Sequence, residues 1–214
     1  MRIETIYDSL NEAFCRLRNA VHDSSEFLRI PRKANGDYRI CEQEFKLFFI
    51  NSLFHSINDP NFTVSIEDPT QYGYRFSSAH KILDIFDYCR RPDESGLKNY
   101  RSACIDVLLY EQGKRVAIIE FKAGNPGEFM HRKDFYKLDN EPGVDLLRLF
   151  VEVYGSSNNK TIDSIAYKLF RNNNYHISEK VIYRGYSLEH NGNTSGSLIT
   201  YQFPNSLIVN NFTL

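Results

Sequence analysis

Two runs, Ala103 to Tyr110 and Val116 to Phe121, are apolar on both faces, and this limits the possible folds more than any other feature of the chain. Ala103, Ile105, Val107 and Leu109 make one face of the first run, and Ala117, Ile119 and Phe121 continue it on the second. Cys104, Leu108 and Tyr110 lie on the other face of the first run, with Val116 and Ile118 on that of the second. Strands apolar on both sides sit at the centre of a sheet covered by helices on both faces. The predicted class is therefore α/β, a mixed central sheet flanked by helices. Three ionisable groups interrupt the pattern: Asp106 in the first strand, and Glu120 and Lys122 around Phe121 in the second. Burying such groups is costly unless they are partnered, so their presence calls for a use.

Whether the carboxylates can meet depends on register, because a slip of one residue turns a side chain to the other face. A two-residue turn at Gln112-Gly113 pairs Glu111 with Lys114 and, carried along the strands, sends Asp106 and Glu120 to opposite faces. A type I turn over Glu111-Gln112, with Gly113 left-handed in a bulge, pairs Tyr110 with Lys114 instead. Asp106 then faces Ile118, and Glu120 is its diagonal neighbour on the same face. We expect this bulged hairpin, because it gives the carboxylates joint reach of one ion.

An Asp on one strand, followed on the next by Glu-Phe-Lys, resembles the PD-(D/E)XK, or restriction-endonuclease-like, nuclease superfamily. The resemblance covers about Asp37 to Gly155, and its motif is short. Ile105 stands where the superfamily often has a proline before the Asp. The resemblance implies a restriction-endonuclease-like sheet and metal-dependent hydrolysis of nucleic-acid phosphodiesters, with DNA the expected partner. Asp106 and Glu120, with the backbone carbonyl of Phe121, would bind Mg²⁺ or Mn²⁺, hard cations that prefer oxygen. Lys122 would orient or help deprotonate the attacking water and stabilise charge in the transition state.

The superfamily often adds a carboxylate from an upstream helix. Ile40 to Ile57 has helical spacing, with Phe45, Phe49, Leu53 and Ile57 on one stripe and Glu42 on that stripe one turn earlier. Glu42 is the expected added catalytic carboxylate and Glu44 the alternative, although both also suit the positive end of a helix dipole. Downstream, Ala123 to Gly127 reads as a loop before a helix from Glu128 to about Leu138. From this helix the superfamily often presents a polar residue near the site; the candidates are His131, Arg132, Lys133 and Lys137. Arg132, Lys133 and Lys137 are the expected nucleic-acid contacts, Lys133 and Lys137 sharing a face, against the plainer reading of a solvated helix surface.

At 214 residues, with 42% hydrophobic and 14% aromatic residues, the chain suits one globular domain over 1–214, extended by an N-terminal helix and a C-terminal helix and strands. The formal charge of −1 excludes a strongly basic nucleic-acid binder but leaves room for a local patch, for which Arg90, Arg91, Arg101, Arg132 and Lys133 are candidates. Cys15, Cys41, Cys89 and Cys104 form no metal-type pair, and free buried thiols are expected. No apolar run approaches a membrane span and Met1 to Glu4 lacks a signal-peptide core, so a cytoplasmic location is expected.

Elsewhere the spacing predicts helices over Ile6–Val21 and Thr161–Phe170 and a short helix around Ile82 to Phe86. Strands are predicted at Phe62–Ile66, ended by Asp68-Pro69-Thr70, and at Leu146–Tyr154, Val181–Tyr186 and Ser197–Phe203, with a loop at Arg91–Gly96. Two rival functions stand beside the nuclease: a nuclease-like module that binds nucleic acid or a protein without cutting, and a phosphoesterase acting on small nucleotides. A buried ion-pair network without chemistry is the plain alternative for the three charges themselves.

Overall fold

The structure, a computed structural model, describes residues 3–22, 26–32, 34, 39–57, 59–76, 82–87, 101–124, 128–154, 182–190 and 193–202. Along the chain these form α1 (Ile3–His22), α2 (Glu42–Ser56), β1 (Phe62–Phe76), β2 (Ile82–Asp87), β3 (Arg101–Glu111) and β4 (Lys114–Ala123). They continue with α3 (Glu128–Asn140), β5 (Leu147–Tyr154), β6 (Ile182–His190) and β7 (Asn193–Gln202). The strands make one seven-stranded sheet in the order β2-β1-β3-β4-β5-β7-β6. All neighbours are antiparallel except β4 and β5. A parallel pair needs a crossover, and α3 supplies it.

Alternation along the central strands divides the interior in two. Val107, Leu109, Ala117, Ile119, Phe121, Leu149 and Val151 pack on one face with Ile6, Leu10, Phe14 and Leu17 of α1 and Phe45, Phe48, Phe49 and Leu53 of α2. On the other face Leu108, Ile118 and Phe150 are buried, and Phe135 of α3 stacks edge-on against Phe150 at 4.5 Å. Helices therefore cover both faces, as strands with two apolar sides require, and the architecture is mixed α/β.

The hairpin differs from expectation in its turn. Gln112 and Gly113 both have positive φ, 51° and 74°, which makes a two-residue type I′ turn with Glu111 opposite Lys114. The extra residue is absorbed at Val116, between Tyr110↔Arg115 and Leu109↔Ala117. This bulge restores a shared face: Leu108 stands opposite Ile118, so Asp106 and Glu120 lie on the same side, one step beyond Val107↔Ile119. Gln112 is a poor left-handed residue. Its N–H donates to the carbonyl of Asn61 at 2.9 Å, a contact distant in sequence that holds the turn.

β1 is longer than expected and runs through Pro69. Its pairing with β2 begins only at Tyr72, so the missing N–H of Pro69 costs no ladder bond on that side. Two extra residues of β1 between Pro69 and Gly73 form an irregularity, where Thr70 Oγ1 accepts the Ala103 N–H at 2.9 Å in place of a backbone carbonyl. The span Ile82 to Asp87 is a strand rather than a helix; its short apolar run fits either period, and pairing with β1 decides it. The last two strands also extend beyond their predicted limits. The predictions over Thr161–Phe170, Arg91–Gly96, Cys89, Arg90 and Arg91 fall outside the described residues, as do the side chains of Arg101 and Arg132. Cys15, Cys41 and Cys104 are free, but none is buried: Cys104 is exposed and the other two are half-buried.

Candidate active site

β3 and β4 pair from the turn to Val107↔Ile119 and then part. Beyond that point β3 stays with β1, through Ile105↔Asp68, while β4 stays with β5, through Glu120↔Phe150 and Lys122↔Glu152. Asp106 stands at this fork and spans it, its Oδ2 accepting the N–H of Phe121 at 2.7 Å. Phe121 anchors the other side of the sheet, its ring 5.8 Å from Phe45 and 5.5 Å from Phe49. These contacts bring the N-terminal end of α2 to the fork.

Among the described residues, eight charged groups from five elements meet there. Lys122 Nζ lies 2.7 Å from Asp134 Oδ2 and 3.6 Å from Glu42 Oε2, and donates to the Phe121 carbonyl at 2.9 Å. Lys137 Nζ lies 2.5 Å from Glu120 Oε1 and 2.9 Å from Asp134 Oδ1, and donates to the Cys104 carbonyl at 2.8 Å. Lys46 Nζ lies 3.2 Å from Asp106 Oδ1 and 2.8 Å from Glu67 Oε1. All but Glu42 and Glu67 are buried. Among the described residues, five carboxyl groups thus meet three ammoniums at the fork.

Protonation follows from burial and these neighbours. Burial pushes the Glu120 carboxyl well above its ordinary range, the charges of Asp134 and Asp106 push it further, and Lys137 only partly opposes them. Burial works against the Lys122 ammonium, but Asp134, with Glu42 and Glu120, more than reverses this and holds its pKa above that of a free lysine. The balance is the same for Lys137, through Glu120 and Asp134, and for Lys46, through Glu67 and Asp106. Asp134 is buried, yet Lys137 and Lys122 hold its carboxyl below the usual value.

The structure brings together Asp106, Glu120, Lys122 and Glu42, with the Phe121 carbonyl between them. It does not bring Glu44, whose carboxylate accepts from the Cys41 thiol. Lys137 is corrected: it is 3% exposed and bound to Glu120 and Asp134, not on a face that meets a phosphate backbone. The negative charge at the fork draws it inward. It therefore shares no outward face with Lys133, which is half-buried. His131 is fully buried and bonds Glu152 at 2.8 Å through Nε2.

Lys46 and Asp134 were missed, although each carried a signal. Lys46 is one helical turn from Glu42, and Asp134 falls within the buried stripe His131, Phe135 and Leu138 of α3. Glu67 carried none in composition. It holds a left-handed φ of 53° within β1, in the stretch opposite Asp106, and such outliers gather at functional sites.

The donor chemistry fits a hard divalent cation in type. Asp106, Glu120 and the Phe121 carbonyl offer oxygen, although Glu120 Oε1 already lies 2.5 Å from the Lys137 ammonium. Among the described residues no three Asp, Glu, His or Cys side chains stand as a preformed metal cluster. Comparison with family models, curated proteins and solved structures found no match to this chain. Among the described residues no helix is long and apolar enough to cross a membrane.

Proposed function

We propose that the chain is a metal-dependent nuclease with a restriction-endonuclease-like core, hydrolysing phosphodiesters of nucleic acid, with DNA the first candidate. The observation that carries this reading is the fork. Asp106 and Glu120 share a face where β3 and β4 separate, Lys122 follows two residues on, and Glu42 reaches the same point from α2. The excess of carboxyl groups over ammoniums among the described residues supports it further, because a divalent ion would add positive charge there.

A bound Mg²⁺ or Mn²⁺ would supply Lewis-acid polarisation of a phosphoryl oxygen and lower the pKa of a water. Asp106, Glu120 and the Phe121 carbonyl would hold the ion. Of the two roles expected for Lys122, its charged state favours one. An ammonium held protonated by Asp134 does not take a proton from water, so Lys122 orients the nucleophile and offsets developing negative charge. Glu42, one-third exposed, has the solvent access needed to hold a water.

One observation favours the second reading, a nuclease-like module that binds without cutting: the ammoniums already compensate most of the carboxylates. Incubation with single-stranded DNA, duplex DNA and RNA in Mg²⁺ or Mn²⁺ separates the two. Cleavage by the wild type, abolished in Asp106→Asn and strongly slowed in Lys122→Met, is expected. Equal cleavage by all three proteins would refute the assignment, and binding without cleavage by the wild type would establish the module.

A further inference from the structure

The segment between α1 and α2 exposes an aromatic ring that its neighbours hold in place. Phe27 is 57% exposed. Its ring meets Phe48 of α2 edge-on at 5.2 Å, and the Arg16 guanidinium of α1 lies over it, also at 5.2 Å. Arg16 in turn sits over the Phe48 ring at 5.4 Å, pairs with Glu26 Oε2 at 3.1 Å and donates to Asn51 Oδ1. An exposed apolar side chain is ordinary, but one fixed by a cation and a second ring is a preformed stacking surface. The charge around it is positive. Arg29, Arg32 and Arg39 are exposed, and the one acid in the described part of this segment, Glu26, is taken by Arg16. Ile30, buried in the core, and the Arg39 N–H on the Pro31 carbonyl at 2.8 Å hold the backbone that carries these arginines. Arg39 precedes Glu42 by three residues, so their Cα atoms are at most about 11 Å apart, and Glu42 reaches the fork. Phe48, against which Phe27 rests, stands about 9 Å further along the α2 axis. The strip thus runs beside the first two turns of α2 and ends near the fork.

We infer that this strip is a track for single-stranded nucleic acid, with Phe27 stacking on a base and Arg29, Arg32 and Arg39 taking phosphates, and that it leads the strand to the fork. The inference rests on the nucleic-acid part of the proposed function and narrows its substrate to unpaired strands. Stacking decides between the two forms. In a duplex the faces of each base are covered by neighbouring pairs, so a fixed exposed ring gains nothing there, whereas every unpaired base has a π-face to offer. Arginine suits the other half of the task, because its planar guanidinium takes phosphate oxygens in pairs and stays charged. A chain of formal charge −1 binds a polyanion only where its positive groups are gathered. With Lys137 turned inward, that place is not α3 but the approach to α2.

The test is fluorescence anisotropy of labelled oligonucleotides with the full-length protein in EDTA, over a salt series, so that binding is read apart from cleavage. The probes are a mixed-sequence single-stranded DNA, the RNA of the same sequence and the DNA duplex. The wild type should bind a single strand at least about tenfold more tightly than the duplex. Phe27→Ala should weaken single-strand binding by about tenfold and leave duplex binding unchanged. Phe27→Leu keeps an apolar contact with Phe48 and loses the π-face, so it should show the same loss even where Phe27→Ala does not fold. Replacing Arg29, Arg32 and Arg39 together by Gln should flatten the slope of log affinity against log salt by about 2, at about 0.7 per phosphate contact. Duplex bound as tightly as single strands, or variants within about twofold of the wild type, overturns the inference; cleavage in Mg²⁺ that is lost in Asp106→Asn then leaves the proposed function standing. Single-strand binding through Phe27 with no cleavage keeps the inference and overturns catalysis in favour of the binding module. A wild type that neither binds nor cuts any probe removes both.

Discussion

Glu141 is the group on which the placement of α3 depends, and its removal gives a sharp prediction. It follows the helix directly, its N–H bonding the Lys137 carbonyl at 2.9 Å. Its buried carboxylate accepts the N–H of Gln71 at 2.9 Å and of Tyr72 at 3.2 Å, the Tyr74 hydroxyl at 3.0 Å and Arg115 Nη1 at 3.2 Å. One carboxylate thus ties the end of α3 to β1 and β4. Glu141→Ala takes the counter-charge from the half-buried Arg115 side chain, whose Nε and Nη2 are already without partners among the described residues. Breaking such a pair costs about 3–5 kcal/mol, and the orphaned backbone N–H groups add to it. With a urea m-value of about 2.5 kcal/mol/M, a loss of about 4 kcal/mol moves the midpoint down by about 1.5 M. The assay is urea unfolding of the wild type, Glu141→Ala, Arg115→Ala and the double variant, with a coupling of at least about 2 kcal/mol expected between the pair. A loss below about 1 kcal/mol for Glu141→Ala would refute the reasoning, since it would mean that α3 does not depend on this clamp.

Three further predictions concern the fork and its hairpin. Because Lys46, Lys122 and Lys137 bind their protons more tightly folded than unfolded, their contribution is complete below the free-lysine value of 10.5 and is lost as pH rises through the higher folded values. The urea midpoint should fall between about pH 10 and pH 12, less steeply in Lys137→Met; a flat profile there would contradict the charge network. Lys122→Met should lower kcat by about 10²–10³ at saturating substrate; a change of less than threefold would remove it from the chemistry. Gly113→Ala adds a Cβ that meets nothing within 4 Å but sits at φ 74°, so it should cost about 1 kcal/mol from conformation alone, read by chemical denaturation.

The central architecture was legible where a pattern had one physical solution. The two-sided strands around Asp106 and Glu120 admitted only a covered central position, and the stripe of Phe45, Phe49 and Leu53 admitted only a helix aimed at that sheet. The hairpin turn was not legible. Two registers differ by one residue, and the deciding contact, the Gln112 N–H on Asn61, joins segments far apart in sequence. Placing the bulge at Val116 rather than in the turn kept the carboxylates together by a different route. β1 was misread at Pro69 because proline breaks strands only where its N–H is needed, and the partner's limits are a tertiary fact. Lys137 looked like a surface lysine because charge on a helix is usually solvated, and only the fork explains why it turns inward. Asp134 and Lys46 show the converse. A charged residue within an apolar helical stripe was visible in the sequence, and in this chain it marks the cluster at the fork.

The most direct test is anomalous scattering from a crystal soaked in saturating MnCl₂. The account predicts a manganese peak at the fork, within bonding distance of carboxylate oxygens of both Asp106 and Glu120. A map with no manganese beside either carboxylate would contradict it.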